Sequence, residues 1–196
     1  MSSYTANPSA PATSSQPADP SKSLLCAVLD DGRIALVRVV GRGNFGISIP
    51  FKNFALKMQE RGGVKFVIDL QYCESMDSTF MGVLAGICLA QIKSNAGRVA
   101  VVNANEHCRR LLKNLGIIHL LDLRTGAIAE VQRAEDEDQF APAKNSSGSK
   151  LEQICTMLEA HKELVRLDQK NEVQFQAVIE YLEKSLQEER DSKAPH

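Results

Sequence analysis

The sequence predicts an α/β domain on a mixed β-sheet, followed by a separate α-helical extension. Three observations lead there. Hydrophobic periodicity switches repeatedly between strand and helix spacing along residues 24–132. The first two strand-like runs are joined by a tight turn, which makes that pair antiparallel within an otherwise alternating strand and helix order. Residues 150–191 carry helical stripes alone.

Leu24–Leu29 and Ile34–Val40 are short aliphatic and β-branched runs on either side of Asp30-Asp31-Gly32, a hairpin turn signal. Gly41-Arg42-Gly43-Asn44-Phe45-Gly46 follows with the G-x-G-x-x-G spacing of a dinucleotide or kinase loop. Such a loop needs a helix opening at its last glycine, so that backbone amides face the phosphates. Ile47-Ser48-Ile49-Pro50 reads as extended instead, and no acidic residue closes the next strand at the right distance. The segment is therefore read as a turn between strand and helix. Pro50–Arg61 has Phe51, Phe54, Ala55 and Met58 at amphipathic helical spacing and stops at Gly62-Gly63. Val64–Leu70 is a near-continuous apolar run, as expected for a buried central strand. Ser78–Ser94 reads as a helix that is apolar on most sides. Arg98–Asn103 reads as a strand, and Asn105–Leu115 as a helix closed by Gly116.

The 196 residues have a net charge of −1, which conceals unlike segments. Residues 1–23 are rich in Ser, Pro and Ala and are expected to be a disordered tail. Residues 24–132 are mildly basic. An acidic, Ser-rich stretch at 133–149 reads as a linker, and residues from 150 onward are again acidic. In this last segment Leu151, Ile154, Leu158, Leu164, Val165 and Leu167 form one stripe. Phe175, Val178, Ile179, Leu182 and Leu186 form a second. The polar residues 168–171 between them predict two helices rather than one interrupted helix, with Asp168 or Asn171 capping the second. Such a pair cannot bury both stripes alone, so it should pack on the α/β domain or on another chain.

Several functions are excluded. A charge near zero argues against nucleic-acid binding. The five cysteines include no C-x-x-C pair, which disfavours a disulfide scaffold or a zinc site and suits reduced thiols in the cytoplasm. No apolar run is long enough to span a membrane and no signal peptide opens the chain. His107, His119, His161 and His196 share no ligand spacing and are read as surface or helix-end residues. No metal, cofactor or catalytic base is predicted, and the chain is read as non-enzymatic.

The most informative stretch runs from Val64 to Leu84, where a buried strand leads through a short loop to Asp77-Ser78-Thr79 at the start of a long helix. Asp77 or Ser78 is expected to cap that helix. A hydroxyl at this place reads as exposed at the positive end of the helix dipole. A phosphate there would add about −1.5 to −2 charges without refolding the domain.

Val67-Ile68-Asp69-Leu70, followed by Met76-Asp77-Ser78-Thr79-x-x-Gly82-Val83-Leu84, resembles the strand-loop-helix signature of STAS domains. Arg98–Asn103 and Arg109-Arg110-Leu111-Leu112-Lys113-Asn114-Leu115-Gly116-Ile117 support the likeness, which covers Leu24 to about Val131. STAS is the fold of bacterial anti-sigma factor antagonists and of sulfate-transporter tails. The resemblance implies a partner-switching regulator. Its partner would be an anti-sigma factor that is also an ATP-binding, histidine-kinase-like serine kinase, opposed by a PP2C-type phosphatase. By the same match Ser78 is the phosphoacceptor, Thr79 a second site, and Asp77, Ser78, Thr79, Phe80 and Met81 the partner-binding residues. Unphosphorylated protein binds the kinase and frees the sigma factor; phosphorylated protein lets go. The family usually has Gly where Phe80 stands, and that ring could shield Ser78, form a binding hot spot or fill the core. The extension at 150–191 lies outside the resemblance and could cover the sheet, dock a second partner or form a homodimer. The alternative reading is a STAS scaffold or accessory subunit that is never phosphorylated and assembles through those helices.

Overall fold

β1 (Leu24–Leu29) turns through a single 3-10 turn at Asp30–Gly32 into β2 (Ile34–Gly43), its antiparallel partner. The computed structural model describes residues 23–126, 128–144 and 148–192. The tail expected at 1–23 lies outside the described residues apart from Ser23, as do residues 145–147 of the expected linker. β3 (Lys65–Met76), β4 (Val99–Val102) and β5 (Leu121–Arg124) pair in parallel beyond β2, so the sheet is mixed as the hairpin foretold. β6 (Ala141–Pro142) closes the other edge against β1, giving the order β5-β4-β3-β2-β1-β6.

Helices lie on both faces. α1 (Phe45–Gln59), α2 (Ser78–Lys93) and α3 (Glu106–Asn114) cover one, where Val37, Ile68, Val101, Phe51, Leu84 and Leu112 form the main core. α4 (Ala129–Asp136) covers the other, burying Val131 and Ala134 against Leu36, Val67 and Val102. α5 (Lys150–Leu167) and α6 (Lys170–Asp191) form the predicted pair. Gln169 is the N-cap position of α6, and the Asp168 carboxylate just before it accepts from the Lys170 amide at 3.0 Å. Asn171 ties the pair to the domain instead: its side-chain amide donates to the carbonyls of Leu115 and Leu164 at 3.2 and 2.7 Å. Ala160, Leu164 and Phe175 enter the main core, while Ile154, Leu158 and Leu182 pack between α5 and α6. Among the described residues, no helix is long and apolar enough to cross a membrane.

Three expectations need correcting. α1 begins at Phe45 rather than Pro50, because the Asn44 side chain accepts from the Gly46 amide and starts the helix early. Pro50 sits inside that helix, buried, at the cost of one bond to the Gly46 carbonyl. β3 runs on to Met76 through two register shifts against β2, so no loop follows Leu70. The stretch read as a linker at 133–149 contains the last turn of α4 and β6. One carboxylate of its acidic run, Glu135, is a partner of the buried Arg38 at 2.6 Å. A charge run looks solvated in sequence, yet a buried guanidinium in the neighbouring sheet draws part of it inward.

Candidate functional site

The site forms where β3 hands over to α2. The Asp77 amide donates to the Gly43 carbonyl at 2.8 Å, so the end of β2 holds the end of β3 in place. The Asp77 side chain then splits its two oxygens between two helices. Oδ1 accepts from the Phe80 amide at 2.8 Å, capping α2. Oδ2 accepts from the Phe45 amide, also at 2.8 Å, at the first residue of α1. One carboxylate thus satisfies amides at two helix N-termini and fixes their relative position. Asp77→Ala is expected to destabilise the protein by about 2 kcal/mol, roughly 1 kcal/mol for each lost cap. Urea unfolding measures this, and Asp77→Asn, able to keep one acceptor, should lose less.

This geometry also changes the reason for setting aside the glycine-rich segment. A helix does open there, contrary to the extended reading of residues 47–50. Its first amides are already occupied, however, Phe45 by Asp77 and Gly46 by Asn44. Gly41 and Gly43 belong to β2. A Cβ on Gly43 would stand 3.0 Å from the Phe80 ring, so that glycine makes room for a side chain rather than for a phosphate.

Of the five residues expected to face a partner, three turn inward. Phe80 is fully buried and stacks on Phe51, with ring centroids 5.1 Å apart and planes at 20°. Thr79 and Met81 are buried as well. Among the three roles open to Phe80, the ring fills the core. Asp77 and Ser78 remain half-buried. Ser78 was expected to be exposed; its Oγ instead lies 3.0 Å from Nε2 of His161 on α5.

His161 is the residue the sequence misread. It is 5% exposed, with Phe175 edge-on at 5.0 Å, and is neither a surface nor a helix-end histidine. Its Nδ1 lies 2.7 Å from the Met157 carbonyl, which can only accept. Nδ1 therefore carries the proton in the neutral imidazole, and Nε2 accepts from the Ser78 hydroxyl. The available signal was the Ser78, Gly82, Gly86 repeat, small residues four apart that line one face of α2. Nothing in the sequence links that face to a histidine more than eighty residues away.

Below the site, Arg38 and Asp69 form a buried ion pair between β2 and β3 at 2.7 Å. Asp69 also accepts from the Asn103 side chain at 2.9 Å and the Gln71 amide at 3.1 Å. Arg38 lies over the Phe140 ring, 4.3 Å from its centroid. Burial works against the Arg38 charge, but hydrogen bonds to Asp69 and Glu135 prevail and hold the guanidinium above its usual pKa. Among the described residues, no cluster of three or more His, Cys, Asp or Glu is arranged to hold a metal ion.

The frame of the site is a mixed α/β sheet in the order β5-β4-β3-β2-β1-β6, with Asp77 capping its second helix. The STAS domain model matches residues 27–131, just over half of the sequence, and the chain belongs to the STAS family. No curated protein matches it. Among solved structures it is similar to a candidate anti-sigma factor antagonist of Thermotoga maritima. The two are 22% identical over 58% of this chain and 95% of that one, with a TM-score of 0.47. It is also similar to the anti-sigma factor antagonist SpoIIAA in its unphosphorylated form, at 13% identity over 59% of this chain and 97% of that one, TM-score 0.45. The phosphorylated form of SpoIIAA, a Bacillus cell fate determinant, matches at 15% identity over 58% and 98%, also with a TM-score of 0.45.

Proposed function

We propose that the protein is a non-enzymatic, cytoplasmic partner-switching regulator of the anti-sigma factor antagonist type, with Ser78 as its phosphoacceptor. The observation that carries this is the place of Ser78. It is the first residue of α2, half-buried beside the Asp77 cap, at the place where the resemblance of Asp77-Ser78-Thr79 to the STAS signature implies a phosphorylated hydroxyl. The burial of Thr79 favours Ser78 as the acceptor, and with Phe80 and Met81 also buried the proposed partner contact centres on Asp77, Ser78 and the neighbouring surface. The partner is a histidine-kinase-like serine kinase that uses ATP and sequesters a sigma factor; a PP2C-type phosphatase resets the switch. Phosphate at Ser78 adds about −1.5 to −2 charges next to the Asp77 carboxylate, which turns the local surface against an acidic or close-packed partner.

The test is incubation of the full chain with ATP and the serine kinases of its own genome, read by intact mass and peptide mapping. One phosphate on Ser78 is expected, and Ser78→Ala should lose nearly all of it. No modification by any of these kinases would sink the reading. The second reading, a scaffold that is never phosphorylated, draws on α6, where Val173 is 90% and Tyr181 69% exposed. Light scattering on the full chain separates the two: a stable dimer without phosphate transfer supports the scaffold.

A further inference from the structure

α2 carries Ser78, Gly82 and Gly86 four residues apart on one face. Glycine disfavours a helix interior, so two on one face call for a reason outside α2 itself. The reason is α5. A Cβ on Gly82 would stand 2.3 Å from the Ala160 carbonyl oxygen and 2.6 Å from its carbon, both backbone atoms that cannot yield cheaply. A Cβ on Gly86 would meet the Glu163 side chain at 3.9 Å. The groove on α2 is cut to the width of a helix, α5 lies in it, and the contact ends on the Ser78–His161 hydrogen bond at 3.0 Å.

The seam is mixed: Ala160, Leu164 and Phe175 join the main core through it, and polar groups lie beside them. It buries the polar side chains of Thr156 and His161 on α5, and an ion pair between Lys52 and the exposed Glu159 bridges its rim. A cavity of about 210 Å³ remains between α1, α2 and α5, lined by Leu56, Gln59, Gly86, Ile87 and Glu163 among others. A contact that buries polar groups and borders an open cleft shares these features with interfaces between domains. The α5–α6 pair also holds its own cluster of Ile154, Leu158 and Leu182, with Met157, Ile179 and Leu186. Both helices lie beyond the family match, which ends at residue 131.

We propose that the α5–α6 hairpin is an intramolecular cover on the phosphoacceptor face. The Ser78–Gly82–Gly86 groove is a helix-docking surface, filled by α5 in the resting protein, and a partner reaches Ser78 fully when the hairpin lifts. This rests on the reading of Ser78 as phosphoacceptor and supplies its regulation. Phosphorylation replaces the Ser78 hydroxyl proton, so the 3.0 Å hydrogen bond that Oγ donates to Nε2 in the resting protein is lost and the docking of His161 there is weakened. A partner that inserts its own helix into the groove competes directly with α5.

Two measurements on the full chain test the cover without any kinase. Hydrogen exchange read by mass spectrometry compares α5 with β3 in the wild type, and α5 is expected to exchange at least about tenfold faster through its own opening. The second is the rate of maleimide alkylation at position 78 of the Ser78→Cys chain, alone and combined with Gly82→Leu. Burial pushes the Cys26 and Cys88 thiols up to about 12, so peptide mapping near neutral pH has a quiet background at those two positions. Gly82→Leu should raise both α5 exchange and alkylation at position 78 by about tenfold or more, with β3 still protected. Exchange of α5 and β3 as one unit in the wild type would overturn the cover, and this holds even if Gly82→Leu fails to fold. Unchanged alkylation in a folded Gly82→Leu chain would overturn it too. Raised alkylation at position 78, together with no kinase able to phosphorylate the wild-type or the Gly82→Leu chain, both of which keep Ser78, would keep the cover and remove the phosphoacceptor reading.

Discussion

Phe80→Ala is expected to destabilise the protein by about 3–5 kcal/mol, the usual cost of truncating a fully buried phenylalanine. The ring has no exposed surface, stacks on Phe51, and fills the space left by Gly43. Its removal opens a cavity where α1, α2 and the ends of β2 and β3 converge, and the rigid neighbours Asp77 and Gly43 cannot close it. Urea unfolding should show a lower midpoint with an unchanged slope. Phe80→Leu should recover a large part of the loss. A partner hot spot would behave differently, leaving stability unchanged and weakening only binding. The residue that departs from the usual family pattern is thus assigned to the core, and Ser78 is not shielded by it. The side chain that does occupy Ser78 comes from α5.

Asp69→Ala is expected to cost about 3–5 kcal/mol as well, because it strands a buried charge. The side chains of Arg38 and Asp69 are 8% and 2% exposed, and Asp69 collects donors from Arg38, Asn103 and Gln71. Without it the Arg38 guanidinium keeps one carboxylate, Glu135, whose side chain is 33% exposed. Glu135→Ala should therefore cost much less, about 1 kcal/mol or under. The Arg38→Met, Asp69→Leu double replacement should recover much of the single-mutant loss, since apolar pairs of similar volume often substitute for buried ion pairs without penalty. An Asp69→Ala chain as stable as the wild type would show that the pair contributes nothing to holding β2 on β3, and so nothing to placing Asp77.

The parts of the fold visible in the sequence were those with local causes. The β1–β2 periodicity, the Asp30-Asp31-Gly32 turn and the Asp77 cap all act within a few residues and appear in the structure where expected, whereas β3 continues past Leu70 to Met76. Errors arose where a distant group decided the outcome. Ile47-Ser48-Ile49-Pro50 has the composition of an extended segment, yet Asn44 and the remote Asp77 start a helix over it. The acidic run around Glu135 reads as solvated until Arg38 is placed beneath it. His161 could not be assigned from spacing, because its role depends on α5 crossing α2 at Gly82. The catalogue of side chains at the site was largely legible; which of them faced outward was not, since Thr79, Phe80 and Met81 turn inward on a helix that is apolar on most sides.

Phosphate on Ser78 is expected to switch partner binding. Titration calorimetry of the kinase that modifies the chain, against unphosphorylated and Ser78-phosphorylated full-length protein, tests it most directly. The account predicts that phosphorylation weakens binding by at least about tenfold, or roughly 1.4 kcal/mol, and that Ser78→Ala binds as the unmodified chain does. Equal affinity of the two forms for the kinase would contradict it.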